Sequence, residues 1–279
     1  MGRRLRHLRR DAVIYGGVAV LLLVVGFPLY WMLASSLKIG ADIISVPPTW
    51  LPERWTVQHY EELFLLTNFG RWFLNSLWVC GVSTVLALVI GIAGAYALAR
   101  LKIRGKELYG RSVLLAYMFP GVLLVIPLVL VFSRIGLINT HIGLSLAYLT
   151  FALPFVMWVM RDFFHGVPIE LEEAAMIDGA TRLQALWDVV LPQALPGIIA
   201  TGIFAFLFAW NEFLFAVTMI RSQDLVTLPP GMVTFADAMD TRWGLIMAAS
   251  TLATLPMAVA FGFVQRYLVT GMGAGGVKG

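Results

Sequence analysis

The sequence predicts an all-α, polytopic membrane helix bundle with about six transmembrane helices, and three observations carry that expectation. The 279 residues are 59% hydrophobic but only 13% charged, whereas a soluble domain carries about 25% charged residues, so this surface cannot mostly face water. Mean hydropathy is +0.84. Apolar stretches of about 20 residues, the length needed to cross a bilayer, recur along the chain and leave no room for a sizeable soluble domain. Residues 1–279 therefore read as one transmembrane domain.

Six stretches qualify in order: Ala12–Ala34, Leu74–Ala99, Tyr109–Phe132, Ile142–Met160, Gly197–Ile220 and Leu245–Tyr267. The first follows Arg3, Arg4, Arg6, Arg9 and Arg10. Its apolar core runs 23 residues, against about 7–15 for a secretory signal, so an uncleaved anchor is expected. In the second, Ala87, Gly91, Ala95 and Ala99 recur every four residues, a spacing of small side chains that lets helices pack closely. Cys80, the single cysteine, falls in the same stretch and reads as a small buried side chain. Pro28, Pro120, Pro127, Pro154 and Pro256 lie inside spans, where proline kinks a helix and frees a carbonyl that a bundle interior tolerates.

Charge sets the orientation. With the N-terminus inside, the inner segments hold 14 of the 20 Lys and Arg residues and the outer segments hold 6. Cytoplasmic loops concentrate these residues, so both termini are expected in the cytoplasm. The net charge of +4 is then a membrane signature and requires no nucleic-acid partner. Two outer segments are long enough to touch a partner outside the membrane. Residues 35–73 carry Trp50, Trp55, Trp72 and three prolines, and residues 221–244 carry Leu228-Pro229-Pro230-Gly231 with Asp224, Asp237 and Asp240.

The most informative segment lies on the inner side, at about 165–196, between the fourth and fifth spans. Pro168 suits a first helical position, and Glu170, Glu172 and Glu173 follow in the early turns, where negative charge favours the helix dipole. Gly179 can take the left-handed conformation that ends a helix. Thr181 and Gln184 form a Thr-x-x-Gln capping box that opens a second helix, and Pro192 and Pro196 are expected to end it. The result is a stiff helical elbow. A membrane-surface helix would carry Lys and Arg on its polar face, whereas this one carries four acids with only Arg182 nearby, which points to a protein partner.

Glu173-Ala174-Ala175, then Gly179, then Val189-x-Leu191-Pro192 resembles the EAA loop of bacterial ABC importer permeases. That family usually has Ile where Val189 stands. Trp210-Asn211-Glu212-Phe213, Leu228-Pro229 and the glycine-rich tail Gly271–Gly279 resemble its MalG-like carbohydrate branch. The resemblance implies a type I importer permease fold in a bacterial inner membrane. It implies a second related permease, two ATPase subunits and an external solute-binding protein as partners, with ATP and magnesium bound by the ATPase and no cofactor on this chain. By resemblance the coupling role falls to Glu173, Ala174, Ala175, Asp178, Gly179, Leu191 and Pro192, and the solute is a sugar or oligosaccharide. Leu228, Pro229, Pro230 and Gly231 would meet the binding protein, and the tail would touch the ATPase pair.

Trp210, Asn211 and Glu212, well inside the expected fifth span, and Asn75 at the start of the second are candidates for a substrate path, because polar groups at that depth are costly. A structural tie between helices is the competing role. Ser250, Thr251 and Thr254 carry the same ambiguity. No Gly-x-x-x-x-Gly-Lys-Ser/Thr phosphate loop occurs, so energy must come from another subunit or a gradient. A glycerol-phosphate or polyol importer permease is the alternative within the class. A secondary transporter is the alternative outside it, but neither an internal repeat nor a partner for the Glu212 charge supports that reading. No metal site or hydrolase motif is present, so the chain itself is not expected to be an enzyme.

Overall fold

The computed structural model describes residues 2–236 and 241–275. Asp237, Asp240 and the end of the glycine-rich tail, 276–279, lie outside them. The described residues form helices joined by turns and by one longer irregular segment between Ile43 and Gln58, with one isolated β-bridge between Ala236 and Thr241. Four helices are long and apolar enough to cross a membrane, and two further pairs pass the same test as bent units.

The chain divides into two compact units, Met1–Phe69 with Met232–Leu255, and Gly70–Gly231 with Pro256–Gly279. The first unit holds α1 (Gly2–Ser36), α2 (Gly40–Ile43) and α3 (Gln58–Leu65). Here the segment after α1 folds back on its end. Lys38, fully buried, donates to the Thr49 carbonyl at 2.5 Å and sits over the Trp31 ring at 4.3 Å. Ser36 and Tyr60 share a hydroxyl hydrogen bond of 2.7 Å, and the His59 imidazole meets the Lys38 carbonyl at 2.9 Å.

The second unit carries most of the bundle. After α4 (Phe69–Arg100) come α5 (Lys106–Met118) and α6 (Gly121–Arg134), bent by 100° where one continuous span over Tyr109–Phe132 was expected. Pro120 supplies the cause. It has no N–H to continue the ladder and its ring forces Phe119 into extended backbone, φ −71° and ψ 131°. α7 (His141–Gly166) starts on a Thr140 cap whose hydroxyl accepts from Gly143 N–H at 3.0 Å. The small-residue stripe of α4 packs against α7. Ala87 and Ala95 are fully buried, and a Cβ on Gly91 would come within 2.6 Å of Val156. The core is completed by Tyr96, Met160, Phe164, Val190 and Ala205.

Beyond α7 come α8 (Ile169–Ile177), α9 (Arg182–Ala185), a π-helical turn over Leu186–Val190, α10 (Leu191–Gln193) and α11 (Leu195–Trp210). The expected fifth span over Gly197–Ile220 is interrupted at Asn211–Phe213 and resumes as α12 (Leu214–Met219). A single 3-10 turn, Gln223–Leu225, precedes α13 (Leu228–Val233), and α14 (Trp243–Gly275) is the last helix. In its first half Thr251 and Thr254 bond back to carbonyls of their own helix at 2.8 Å.

Candidate functional site: the elbow and the broken fifth span

The elbow forms as two capped helices. Pro168 takes the N-cap of α8 rather than its first turn, with φ −57° and ψ 130°. At the far end Gly179 has φ +93°, its N–H reaches the Met176 carbonyl at 3.2 Å, and Ala180 N–H reaches the Ala175 carbonyl at 3.0 Å. These two bonds are a Schellman motif, and only a residue without Cβ takes the left-handed position cheaply. A Cβ at Gly179 would meet nothing within 4 Å, so substitution there strains the backbone without crowding this chain. Thr181 then closes the capping box. Its hydroxyl accepts from Gln184 N–H at 3.3 Å, and its own N–H donates to Gln184 Oε1 at 2.8 Å.

Pro192 does not end the second helix. It is the second residue of α10, inside a helical run that continues to Gln193. A regular α-helix would press the Pro192 ring onto the Asp188 carbonyl. The preceding π turn, in which Leu191 N–H reaches the Leu186 carbonyl, widens the ladder there. The run ends at Ala194, with a 78° bend into α11, and Pro196 lies in the first turn of the new helix.

The elbow exposes an acidic and apolar face. Glu173, Ala174, Asp178 and Gly179 are exposed and Ala175 is half-buried. Beside them Ile177, Leu183 and Trp187 stand 85%, 64% and 63% exposed. Large apolar side chains grouped in this way mark an interaction surface. Leu191 is half-buried and Pro192 exposed.

One of the four acids turns the other way. Glu172 is buried and meets the last turn of α4, with Oε2 lying 3.1 Å from Arg100 Nε and Oε1 accepting from the Tyr96 hydroxyl. Arg100 Nη2 also donates to the Val167 carbonyl at 2.6 Å. The spacing of Glu172, Ala175 and Met176 at i, i+3 and i+4 puts Glu172 on the inward face, and that spacing is the signal in the sequence that could have found it.

The polar group at the end of α11 sits at a helix break, not within a continuous span. Glu212 accepts from Phe215 N–H at 3.1 Å and Ala216 N–H at 3.2 Å, which caps α12. Asn211 donates to the Leu207 carbonyl at 2.9 Å, and the buried Trp210 lies edge-to-face on Phe73 at 5.5 Å. Glu212 and Tyr148 supply the polar groups of a cavity of about 290 Å³ whose other walls include Val125, Phe151, Phe208 and Phe215. Asn75 is drawn away from these residues. It donates to the carbonyls of Asp224 and Val226 at 2.9 Å each.

The segment after α12 is fastened at several points. Asn139, at φ 59°, accepts from Arg221 N–H and Ser222 N–H at 2.9 Å, and the His141 ring meets the Leu225 carbonyl at 3.0 Å. Arg71 pairs with Asp224. The expected Leu228-Pro229-Pro230-Gly231 turn is instead the first turns of α13. Leu228 and Gly231 are buried, Gly231 under the Trp72 ring, while Arg221–Asp224 carries the exposed side chains. Among the described residues no group of three or more His, Cys, Asp or Glu side chains is placed to hold a metal ion.

Comparison with known proteins adds a family. The model of the family described as "Binding-protein-dependent transport system inner membrane component" matches residues 83–273. The chain is 39% identical to the inner membrane ABC transporter permease protein YcjP of Escherichia coli K12, over 95% of both chains. It is 37% identical to the diacetylchitobiose uptake system permease protein DasC of Streptomyces coelicolor, over 95% of this chain and 97% of that one. Its fold is similar to a chain of a bacterial ABC transporter that imports the acidic polysaccharide alginate, with a TM-score of 0.77 and 24% identity, covering 92% of this chain and 98% of the other.

Proposed function

This chain belongs to the family of binding-protein-dependent transport system inner membrane components, and from that premise we propose that it is one permease subunit of an ATP-driven importer for a sugar or oligosaccharide. The elbow carries the reading. A doubly capped helix pair between two apolar helices, with Glu173, Ala174 and Gly179 exposed beside Ile177, Leu183 and Trp187, is built to seat a protein partner and to pass on its movement. In this proposal the partner is a separate ATPase that binds ATP and magnesium. Glu173 offers a charge for a charge-assisted bond with a partner arginine, and Ala174 and Ala175 keep the contacting face small. Asp178, Leu191 and Pro192 complete the matching motif. A second related permease, a second ATPase subunit and an external solute-binding protein complete the assembly. The exposed Arg221–Asp224 corner, together with Pro229 and Pro230, is the surface offered to that binding protein.

The carbohydrate assignment is supported by a relative named for diacetylchitobiose uptake, which favours a sugar over a glycerol-phosphate or polyol. The test replaces Gly179 by Asp and Glu173 by Ala in the complete complex in vesicles. ATP-driven uptake of the solute and co-purification of the ATPase are both measured. Losing a central interface contact costs on the order of 2–4 kcal/mol, so Gly179→Asp should detach or uncouple the ATPase. Wild-type coupling in both variants would reduce the elbow to a passive connector and end the proposal.

A further inference from the structure

We propose that Tyr96, Arg100 and Glu172 form a bolt that fixes the elbow to the inner end of α4, so that movement of the elbow enters α4 as a rigid displacement. The inference rests on reading the elbow as the ATPase-coupling segment. Covalently the elbow continues only α7 and α11. The polar group adds a third connection, to a helix remote in sequence.

Its geometry suits a mechanical link. Arg100 is the last residue of α4, where a cation complements the helix dipole. Its guanidinium reaches two points at once, an ion-pair contact with Glu172 Oε2 at 3.1 Å on α8 that lacks hydrogen-bond alignment and a hydrogen bond to the Val167 carbonyl at 2.6 Å at the joint between α7 and α8. The Tyr96 hydroxyl, one turn back on α4, donates to the other carboxylate oxygen, and its ring stands edge-to-face on Phe164 at 6.0 Å. The side chains of Arg100 and Glu172 are only 6% and 3% exposed.

A buried ion pair is a poor source of net stability, because desolvation offsets the attraction and apolar residues of the same volume pack as well. It does resist separation, since pulling the partners apart leaves an uncompensated buried charge. That asymmetry favours a positioning role over a stabilising one. Glu172 and Glu173 are neighbours on one helix and diverge, Glu172 inward to α4 and Glu173 outward. A load on the outer face of α8 is therefore carried through the helix to Arg100.

The test uses the assembled complex with its ATPase and solute-binding protein. Spin labels on Lys102→Cys and Glu170→Cys, in a Cys80→Ala background, report the distance between the end of α4 and α8. In the otherwise wild-type chain that distance is expected to stay narrow and unchanged between nucleotide-free and ATP-bound complexes. A distance that changes with ATP overturns the bolt, whatever any variant does. In Glu172→Gln the distribution should broaden, and solute carried per ATP hydrolysed should fall about tenfold as one buried charge is left unpaired, with the ATPase still bound. Adding Glu172→Gln to Arg100→Met should cost nothing further, because loss of the guanidinium already breaks both the Glu172 and the Val167 contacts, and an amide at 172 can still accept from Tyr96. A wild-type transport ratio in Glu172→Gln, or additive losses in the double variant, overturns the proposal. A merely structural pair would lower thermal stability and leave the ratio unchanged. Failure of the coupling reading itself looks different, since the unsubstituted chain would then bind no ATPase.

Discussion

Glu212 shows how one residue can answer two questions. Its carboxylate holds the first N–H groups of α12, and it also borders the cavity beneath Tyr148 and Phe215. Glu212 precedes the N-cap residue Phe213, and loss of such a capping bond costs about 1 kcal/mol. If capping is its work, Glu212→Ala should lower the melting temperature of the purified complex by a few degrees and leave the solute KM within about twofold. A KM raised severalfold at unchanged melting temperature would put Glu212 on the substrate path. At this scale the sequence was unevenly legible. Gly179, Thr181 and Gln184 act within a few residues of themselves, so their roles follow from local spacing alone. Glu172 was counted with its neighbours as a surface acid: its spacing with Ala175 and Met176 marks its inward face, but its partner Arg100 belongs to a distant helix and no local rule names that partner.

Elements were legible as apolar lengths but not as shapes. Hydropathy adds residues over a window and does not register a 100° bend. Five prolines fall inside the expected spans, and only Pro120 divides one. Pro28, Pro127, Pro154 and Pro256 lie within continuous helices. The difference at Pro120 is the glycine that follows it, since a Pro-Gly pair breaks a helix that a lone proline only kinks. The segment after α12 was legible only as long enough to touch a partner, for the opposite reason. Of its fastenings, Asn139 comes from the turn before α7, and His141, Asn75 and Arg71 come from other helices. Asn139 accepts two backbone N–H groups, from Arg221 and Ser222. These bonds are exposed, so each contributes about 0.5–1.5 kcal/mol net. Asn139→Gly keeps the left-handed backbone and removes only the side-chain bonds. It should speed hydrogen exchange at the Arg221 and Ser222 amides at least about tenfold. Unchanged exchange would show that the corner is held by its other contacts.

At the scale of the whole molecule, the first question is which solvent each surface meets. The most apolar window of α1 has none of its residues buried within this chain, and Val13, Leu21, Leu23 and Val24 are each more than 60% exposed. A helix apolar all round and uncovered is stable only against lipid or another membrane subunit. The orientation follows from charge. With 14 of the 20 basic residues on one side and 6 on the other, the basic side should be cytoplasmic. That places the elbow where an ATPase can reach it and the Asn139-fastened corner where a solute-binding protein can. Single cysteines at Lys106, Ala180 and Asp224 test the arrangement in intact cells, with Cys80, which is buried, replaced by alanine. An impermeant maleimide should label the Asp224 position from outside, while the Lys106 and Ala180 positions should react only after the membrane is opened. The three positions must be scored together. A reversed pattern would invert the chain, and labelling at Ala180 alone from outside would move the elbow across the membrane, away from any supply of ATP. Either outcome removes the proposed coupling role, because the load proposed for the elbow would then have no source.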